Sequence, residues 1–322
     1  MNTEQHTDRL PVAGSLIVGP PRPIPAHAAI LPDLVAWADQ IDGLATSGVS
    51  AEDLAGLLIH SRHLQSIARA QQDAILPILN GTGAAIIDAA VNTLFDVADT
   101  AADDAAMMAA IRHLRQRSGL ATALADLANK ADVSTQMNWL STAADAAIAA
   151  TVRYLFRQAA ARGLVLPDCT GQRGCGWTIL ALGKLGASEL NYSSDVDMII
   201  LHDPENNALT NPETSQTFFV DLTRHLVSLL SSATRDGVGW RVDLRLRPDP
   251  GATAVSIQRE AAIGYYESIA RTWERAAFIR ARPVAGDIEM GSAFLADLQP
   301  FIWRRTLDFT VLDDMATMLS RP

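Results

Sequence analysis

The chain has 322 residues and a formal net charge of −10. The acidic balance argues against general nucleic-acid binding, and the length fits two domains with a sizeable core. Met1–Arg9 is polar with no secretory apolar region, Asp88 and Asn92 break the most apolar helical stretch, and Cys169 and Cys175 lack the partners of a zinc site; a cytoplasmic protein with reduced thiols and no membrane span is expected.

Taken in order, residues 1–28 carry Pro20-Pro21-Arg22-Pro23-Ile24-Pro25 and are expected to form an extended, flexible tail. Residues 29–165 are rich in Ala and Leu at helical spacing, which predicts a helical domain with helices over 31–42, 51–60, 62–79, 83–98, 102–115, 120–131 and 135–162. Asp103 and Asp104 fit a helix start, and Gly119 and Gly163 fit stops. His60 and His63 lie one turn apart without acids beside them and read as surface or capping residues. Residues 163–176 carry Pro167, Gly171, Gly174 and Gly176 and predict a hinge before a second, α/β part at 166–290. Residues 291–322 are expected to begin a further helical segment.

The stretch at 179–203 organises that second part. Two apolar runs, 179–182 and 198–201, predict strands around a polar turn holding Gly183, Lys184, Gly186, Ser193 and Ser194. The turn empties into Asp195 and Asp197, which alternation places on one face of the second strand. Acids are disfavoured in strands, and two carboxylates 4 Å apart repel by ~4 kcal/mol at an effective dielectric of 20. A divalent cation reverses that sign, and oxygen ligands at this spacing suit Mg²⁺. The alternative is a solvated strand end with two incidental acids; the glycine turn and a third strand acid favour the metal. Lys184 is one of only two lysines. Gly183, Lys184 and Ser194 are candidate phosphate contacts, the alternative being an ordinary strand–helix loop.

The third acid is Asp243. Residues 239–247 alternate as a strand, with Val242, Leu244 and Leu246 on one face and Arg241, Asp243, Arg245 and Arg247 on the other. Alone, Asp243 reads as part of a surface charge ladder; beside Asp195 and Asp197 it becomes a third ligand or a base. Arg245, Arg247, Arg271, Arg275, Arg280 and Arg282 concentrate positive charge in an acidic chain. Arg245 and Arg247 are read as a phosphate clamp; for the others, salt bridges to nearby acids remain equally open. A predicted helix over 214–232 supplies core, with Arg224 and His225 left at its surface.

Four stretches in order carry a family resemblance: Gly183-Lys-Leu-Gly-x-x-Glu189-Leu-Asn191-x-Ser-Ser194-Asp-x-Asp197, Arg241-Val-Asp-Leu-Arg-Leu-Arg-Pro248, Trp273-Glu-Arg275 and Ala281-Arg-Pro-Val-Ala-Gly-Asp287. The chain resembles the bifunctional glutamine synthetase adenylyltransferase/adenylyl-removing enzymes, within the DNA polymerase beta nucleotidyltransferase superfamily. The resemblance is strong over 176–287 and weaker in the helical flanks. It implies an α+β fold, a polymerase-beta-like sheet with a large N-terminal helical bundle and flanking C-terminal helices. Family members carry two such modules, and one module after a long helical segment resembles the N-terminal half. That half strips AMP from a tyrosine of glutamine synthetase by Mg²⁺-dependent phosphorolysis, giving ADP. The implied catalytic and metal residues are Asp195, Asp197 and Asp243. Glutamine synthetase, phosphate and ADP or ATP are implied partners, and a PII signal protein is a further candidate. Adenylyl addition from ATP, or a non-catalytic module that binds a signal protein, are the alternatives. Two departures stand out: Arg280 replaces a lysine common in the family, and the turn after Pro248 reads Asp-Pro-Gly-Ala-Thr rather than a Gly-Asp-Ser-Gly type.

Overall fold

The computed structural model describes residues 31–269 and 272–303, so the expected tail at 1–28, Arg271 and most of the last helical segment fall outside the described residues. Helices come first: α1 (Leu31–Ala38), α2 (Ala51–Leu58), α3 (Arg62–Ala70), α4 (Gln72–Leu79), α5 (Gly83–Thr100), α6 (Asp104–Leu127) and α7 (Val133–Ala161). Strand β1 (Trp177–Ala181), one-turn helix α8 (Gly183–Gly186), β2 (Val196–His202), α9 (Ser215–Ser231), β3 (Val242–Asp243) and β4 (Ile257–Gln258) follow. Then come α10 (Arg259–Ser268), α11 (Thr272–Phe278), β5 (Arg282–Gly286), α12 (Ile288–Asp297) and α13 (Gln299–Ile302). The fold is α+β. No helix of the described residues is long and apolar enough to cross a membrane.

Two expected helices are in fact one, because α6 runs unbroken through Gly119. One interior glycine costs only ~1 kcal/mol against alanine, and its neighbours Ser118 and Leu120 are both fully buried. Conversely, the expected 62–79 helix breaks at Gln71, whose backbone leaves the helical region.

Contacts divide the chain into two compact units. Among the described residues, one comprises 31–83 together with 120–133; the other comprises 84–119 and 134–303. The sheet therefore shares a unit with α5, α7 and the first part of α6, whereas the sequence grouped all of 29–165 in one helical domain. In the first unit, Ser50 and Asp53 form a reciprocal capping box on α2, and the Ser61 hydroxyl accepts the Leu64 N–H at 3.1 Å to start α3.

In the second unit the sheet runs β3-β2-β1-β5, with β4 also on β2. β1 pairs antiparallel with β2 and with β5, while β3 and β4 lie parallel to β2. The two short strands share one edge of β2: β3 joins its start and β4 its end. Alternation separates two cores. Trp177, Ile179, Ala181, Val196, Met198 and Ile200 pack with residues of α5, α6, α7 and α9. Leu180, Leu182, Ile199 and Leu201 face the other way, onto Tyr266, Phe278, Phe294 and Phe301. Asp195 and Asp197 have the parity of this second face, at the start of β2.

Candidate active site

The start of β2 gathers the three acids. Parallel pairing sets Asp197 directly against Asp243, and Val196 against Val242; paired residues of neighbouring strands project to the same side, so Asp243 shares the face of Asp197. Two loops deliver them. In the turn 191–194, the Ser194 hydroxyl donates to Asn191 Oδ1 at 2.8 Å and accepts the Asn191 N–H. Ser194 thus shapes the approach to Asp195 with its own hydroxyl. On the other side, the Ser231 hydroxyl accepts the Val242 N–H and donates to the Trp240 carbonyl, tying the start of β3 to the end of α9. Helix α6 reaches both loops: Arg115 donates to the Tyr192 carbonyl at 2.5 Å and lies over the Trp240 ring, 5.3 Å from its centroid.

The strand expected over 239–247 shrinks to Val242–Asp243. Its physical cause is Asp243 itself, whose Oδ1 accepts the backbone N–H of Arg245 at 2.8 Å, closing a turn. The next residues leave the edge of β2 and return only at β4. Arg247 seals this excursion, donating to the carbonyls of Leu244 and Pro250 at 2.9 Å each and of Ala254 at 3.2 Å. The Arg247 guanidinium, expected from the sequence as a clamp on phosphate, is here engaged by the carbonyls of the 248–254 turn. Arg245, by contrast, is 82% exposed.

Arginines from β3 and its flanks pair with two of the acids. Arg241 approaches Asp195 at 2.5 Å, and Arg245 grips both oxygens of Asp243. These hydrogen bonds hold the Asp243 carboxyl below the usual carboxylate range, in spite of its burial. Asp197 has no such partner among the described residues. Burial, then the charges of Asp243 and Asp195, push its carboxyl up, against the weaker pull of Arg245 and Lys184. The site therefore holds a carboxylate whose charge is under-compensated, with two further carboxylates and an exposed lysine near enough to act on it.

Gly183 makes the approach of α8 possible. A β-carbon there would lie 2.7 Å from Asp197 Oδ2, and its φ of +53° is a conformation glycine adopts without strain. Gly183 and Lys184 are both exposed at this edge. The donor set around Asp197 is oxygen only, which suits a hard divalent cation such as Mg²⁺. Asp195 and Asp243 are turned to their arginines, however, and among the described residues no three acidic, histidine or cysteine side chains stand close enough to hold a metal ion. Holding a cation with all three acids requires Arg241 and Arg245 to release their partners; both guanidiniums are exposed and can do so.

Three further residues shape this site: Arg241 and Asp145, to which the sequence pattern gives no role, and Arg282, one of the arginines for which a phosphate clamp and salt bridges are equally open. Arg282 and Asp145, which bind one another at 2.8 Å behind α8, are 137 positions apart. The available signal was Asp145 itself, a lone acid in the run Ala143-Ala144-Asp145-Ala146-Ala147, whose alanines are buried.

Residues 51–297 match the glutamate-ammonia ligase adenylyltransferase family. The chain belongs to that family. It is 41% identical over 283 residues to a bifunctional glutamine synthetase adenylyltransferase/adenylyl-removing enzyme of Xanthobacter autotrophicus, a stretch that is 86% of this chain and 28% of the relative. A protein of the same description from Rhizobium meliloti is 38% identical over 298 residues, 90% of this chain and 30% of the relative. One from Bradyrhizobium sp. is 47% identical over 217 residues, 67% of this chain and 22% of the relative. This adenylyltransferase-family chain thus spans under a third of the length of each of these three relatives.

Proposed function

We propose that this chain is a nucleotidyl-transfer module that removes AMP from an adenylylated tyrosine of glutamine synthetase, in the cytoplasm. The observation that carries the reading is the under-compensated carboxylate of Asp197, set against Asp243 and Asp195 beside a glycine turn. That arrangement suits a site that receives a cation and the phosphoryl group it accompanies. The fold is read as polymerase-beta-like, with the acids at the start of β2 as its catalytic carboxylates.

In this reading inorganic phosphate attacks the phosphorus of the adenylyl group. A new P–O bond forms, the bond from phosphorus to the tyrosine oxygen breaks, and the phenol takes a proton, leaving ADP and unmodified tyrosine. Asp195, Asp197 and Asp243 would hold Mg²⁺, which when bound offsets charge at the transferring phosphoryl group. Asp243 completes the site as ligand or base. Lys184, exposed at the turn, and Arg245, once it lets go of Asp243, face phosphate oxygens. Gly183 permits the turn to lie against Asp197, and Ser194 and Arg247 hold the two loops in place. A PII signal protein is a further candidate partner.

The relatives are named for both addition and removal of the adenylyl group, and both reactions could use the same acids. Removal is preferred on the resemblance to the N-terminal module. The test is to incubate the chain with adenylylated glutamine synthetase, Mg²⁺ and phosphate, and to measure ADP. Release of ADP that is lost in Asp195→Asn supports removal. AMP incorporation from ATP into unmodified synthetase, lost in the same variant, reverses the direction. Silence in both assays sinks the enzyme reading, and partner binding indifferent to Mg²⁺ and to Asp195→Asn would then favour a binding module.

A further inference from the structure

Helix α8 is wedged between two parts of the sheet. On one side Gly183 lies against the carboxylate of Asp197, as described. On the other, a β-carbon on Gly186 would come within 2.2 Å of the Arg280 carbonyl and 2.8 Å of the Ala181 carbonyl. The segment leading into β5 therefore presses on the far end of α8. From β5, Arg282 reaches under that end: Nε donates to the Gly186 carbonyl at 3.2 Å and Nη2 to the Leu185 carbonyl at 2.9 Å. Carbonyls at the end of a helix lack intrahelical partners, and a planar guanidinium can serve two of them at once.

Asp145 on α7 fixes that guanidinium from behind, accepting from Nη2 at 2.8 Å. Its second oxygen is buried with no hydrogen-bond partner among the described residues, so Arg282 carries the compensation for this acid. Burial pushes the Asp145 carboxyl up and Arg282 pulls it back. Arg282 meets the last carbonyls of α8, whereas Asp197 lies against its first residue, Gly183. A chain of contacts runs from α7 through Arg282 and α8 to Asp197.

We propose that Arg282, oriented by Asp145, is a positioning residue that sets the height of α8 against Asp197 and so places Gly183 and Lys184 for phosphate. The inference rests on the functional reading above for its consequence in turnover, and on geometry alone for its effect on α8. A misplacement of about 1 Å at such a turn can lower the rate roughly a hundredfold.

The test uses the full chain and two conservative variants, Arg282→Lys and Asp145→Asn, with their double variant. Hydrogen exchange followed by mass spectrometry reads α8 directly, because Gly186, Ala187, Ser188 and Glu189 donate to Leu182, Gly183, Leu185 and Lys184. Exchange at 186–189 should quicken roughly tenfold or more in each single variant, with the amides of β1 and β2 unchanged. In the ADP-release assay, kcat/KM for phosphate should fall toward a hundredfold, and the double variant should be no worse than the worse single one. Wild-type protection at 186–189 in both variants overturns the proposal. So does a loss of protection spread evenly over the sheet, which marks a general structural role. A wild-type chain that releases no ADP defeats the functional reading instead, and the exchange result still decides this one.

Discussion

Gly183 and Asp197 are in mutual contact in a way that only glycine permits: a β-carbon on the first would lie 2.7 Å from Oδ2 of the second. Gly183→Ala must both push the carboxylate aside and hold a left-handed backbone. The strain is about 1–3 kcal/mol, which should appear as a lowered Tm. If the turn places phosphate against the acids, ADP release should fall by roughly a hundredfold. A variant with a lowered Tm and full turnover would remove α8 from the proposed site.

Asp197 should be a residue that works against stability. Its folded pKa is raised above the ordinary 3.8 by burial and by Asp243 and Asp195. The folded state therefore binds the proton more tightly than the unfolded one. Stability falls as pH rises through the window from 3.8 to the raised value, and the cost is fully present above it. Asp197→Asn should have a higher Tm than wild type at pH 7 in metal-free buffer. The difference should close as the pH drops below 3.8. Activity should fall at least about a thousandfold. A variant less stable than wild type at pH 7 would mean that the carboxylate is well compensated as it stands.

Arg245 and Arg247 are two residues apart and should behave oppositely. Arg245 is exposed and its guanidinium hydrogen-bonds Asp243, so Arg245→Ala should leave Tm near wild type while raising KM for phosphate roughly tenfold. Arg247 holds four carbonyls of the 244–254 excursion, those of Leu244, Pro250, Thr253 and Ala254, and hydrogen bonds from a charged group are worth about 1.5–3 kcal/mol. Arg247→Ala should lower Tm and speed proteolysis of that turn. Equal losses of phosphate affinity in the two variants would restore Arg247 to the site.

The contrast between these arginines marks how far the sequence could be read. Two-residue alternation identified β1 and β2 and set Asp195 and Asp197 on one face, because a strand with a buried face cannot slip by one residue without inverting every side chain. The same rule was extended to 239–247 and failed after Asp243. There a side chain competes with the sheet for the backbone, and Asp243 takes the Arg245 N–H. Alternation carries no signal for that. Local preference alone makes Gly119 a helix stop, yet the burial of its neighbours outweighs a cost of ~1 kcal/mol. The Arg282–Asp145 pair is a contact between a helix and an edge strand far apart in sequence, and no local pattern encodes it. Only the isolation of Asp145 among buried alanines hinted at a partner.

A second acid gives the opposite pH dependence. Burial alone would push Asp104 up, but hydrogen bonds from His225 and Tyr154 outweigh it and hold its carboxyl below 3.8. Those bonds join α6, α7 and α9; burial, and then the bond to Asp104, raises the Tyr154 phenol to about 12. A lowered folded pKa contributes stability that is present above 3.8 and lost as pH falls through the folded value. Asp104→Asn should cost about 1 kcal/mol at pH 7, the lower end for a charge-assisted pair because the side chain is 46% exposed. The variant and wild type should converge in acid. A gap that persists well below the folded pKa would assign the loss to packing at the start of α6 rather than to charge.

Tyr266 tests the second core without touching the acids. Its ring is fully buried, 4.8 Å from the Phe278 centroid and 5.7 Å from that of Phe301. The hydroxyl has no hydrogen-bond partner among the described residues, and burial, with the charge of Glu274 behind it, drives its pKa up. Most buried hydroxyls find a partner; this one has exchanged water for aromatic rings. Tyr266→Phe keeps the ring contacts and removes the desolvated group, a change worth about 1 kcal/mol in favour of the variant. Tm should rise and ADP release should be unaltered, since the residue lies under the far half of β2. A fall in Tm would show that the hydroxyl is held by a buried water.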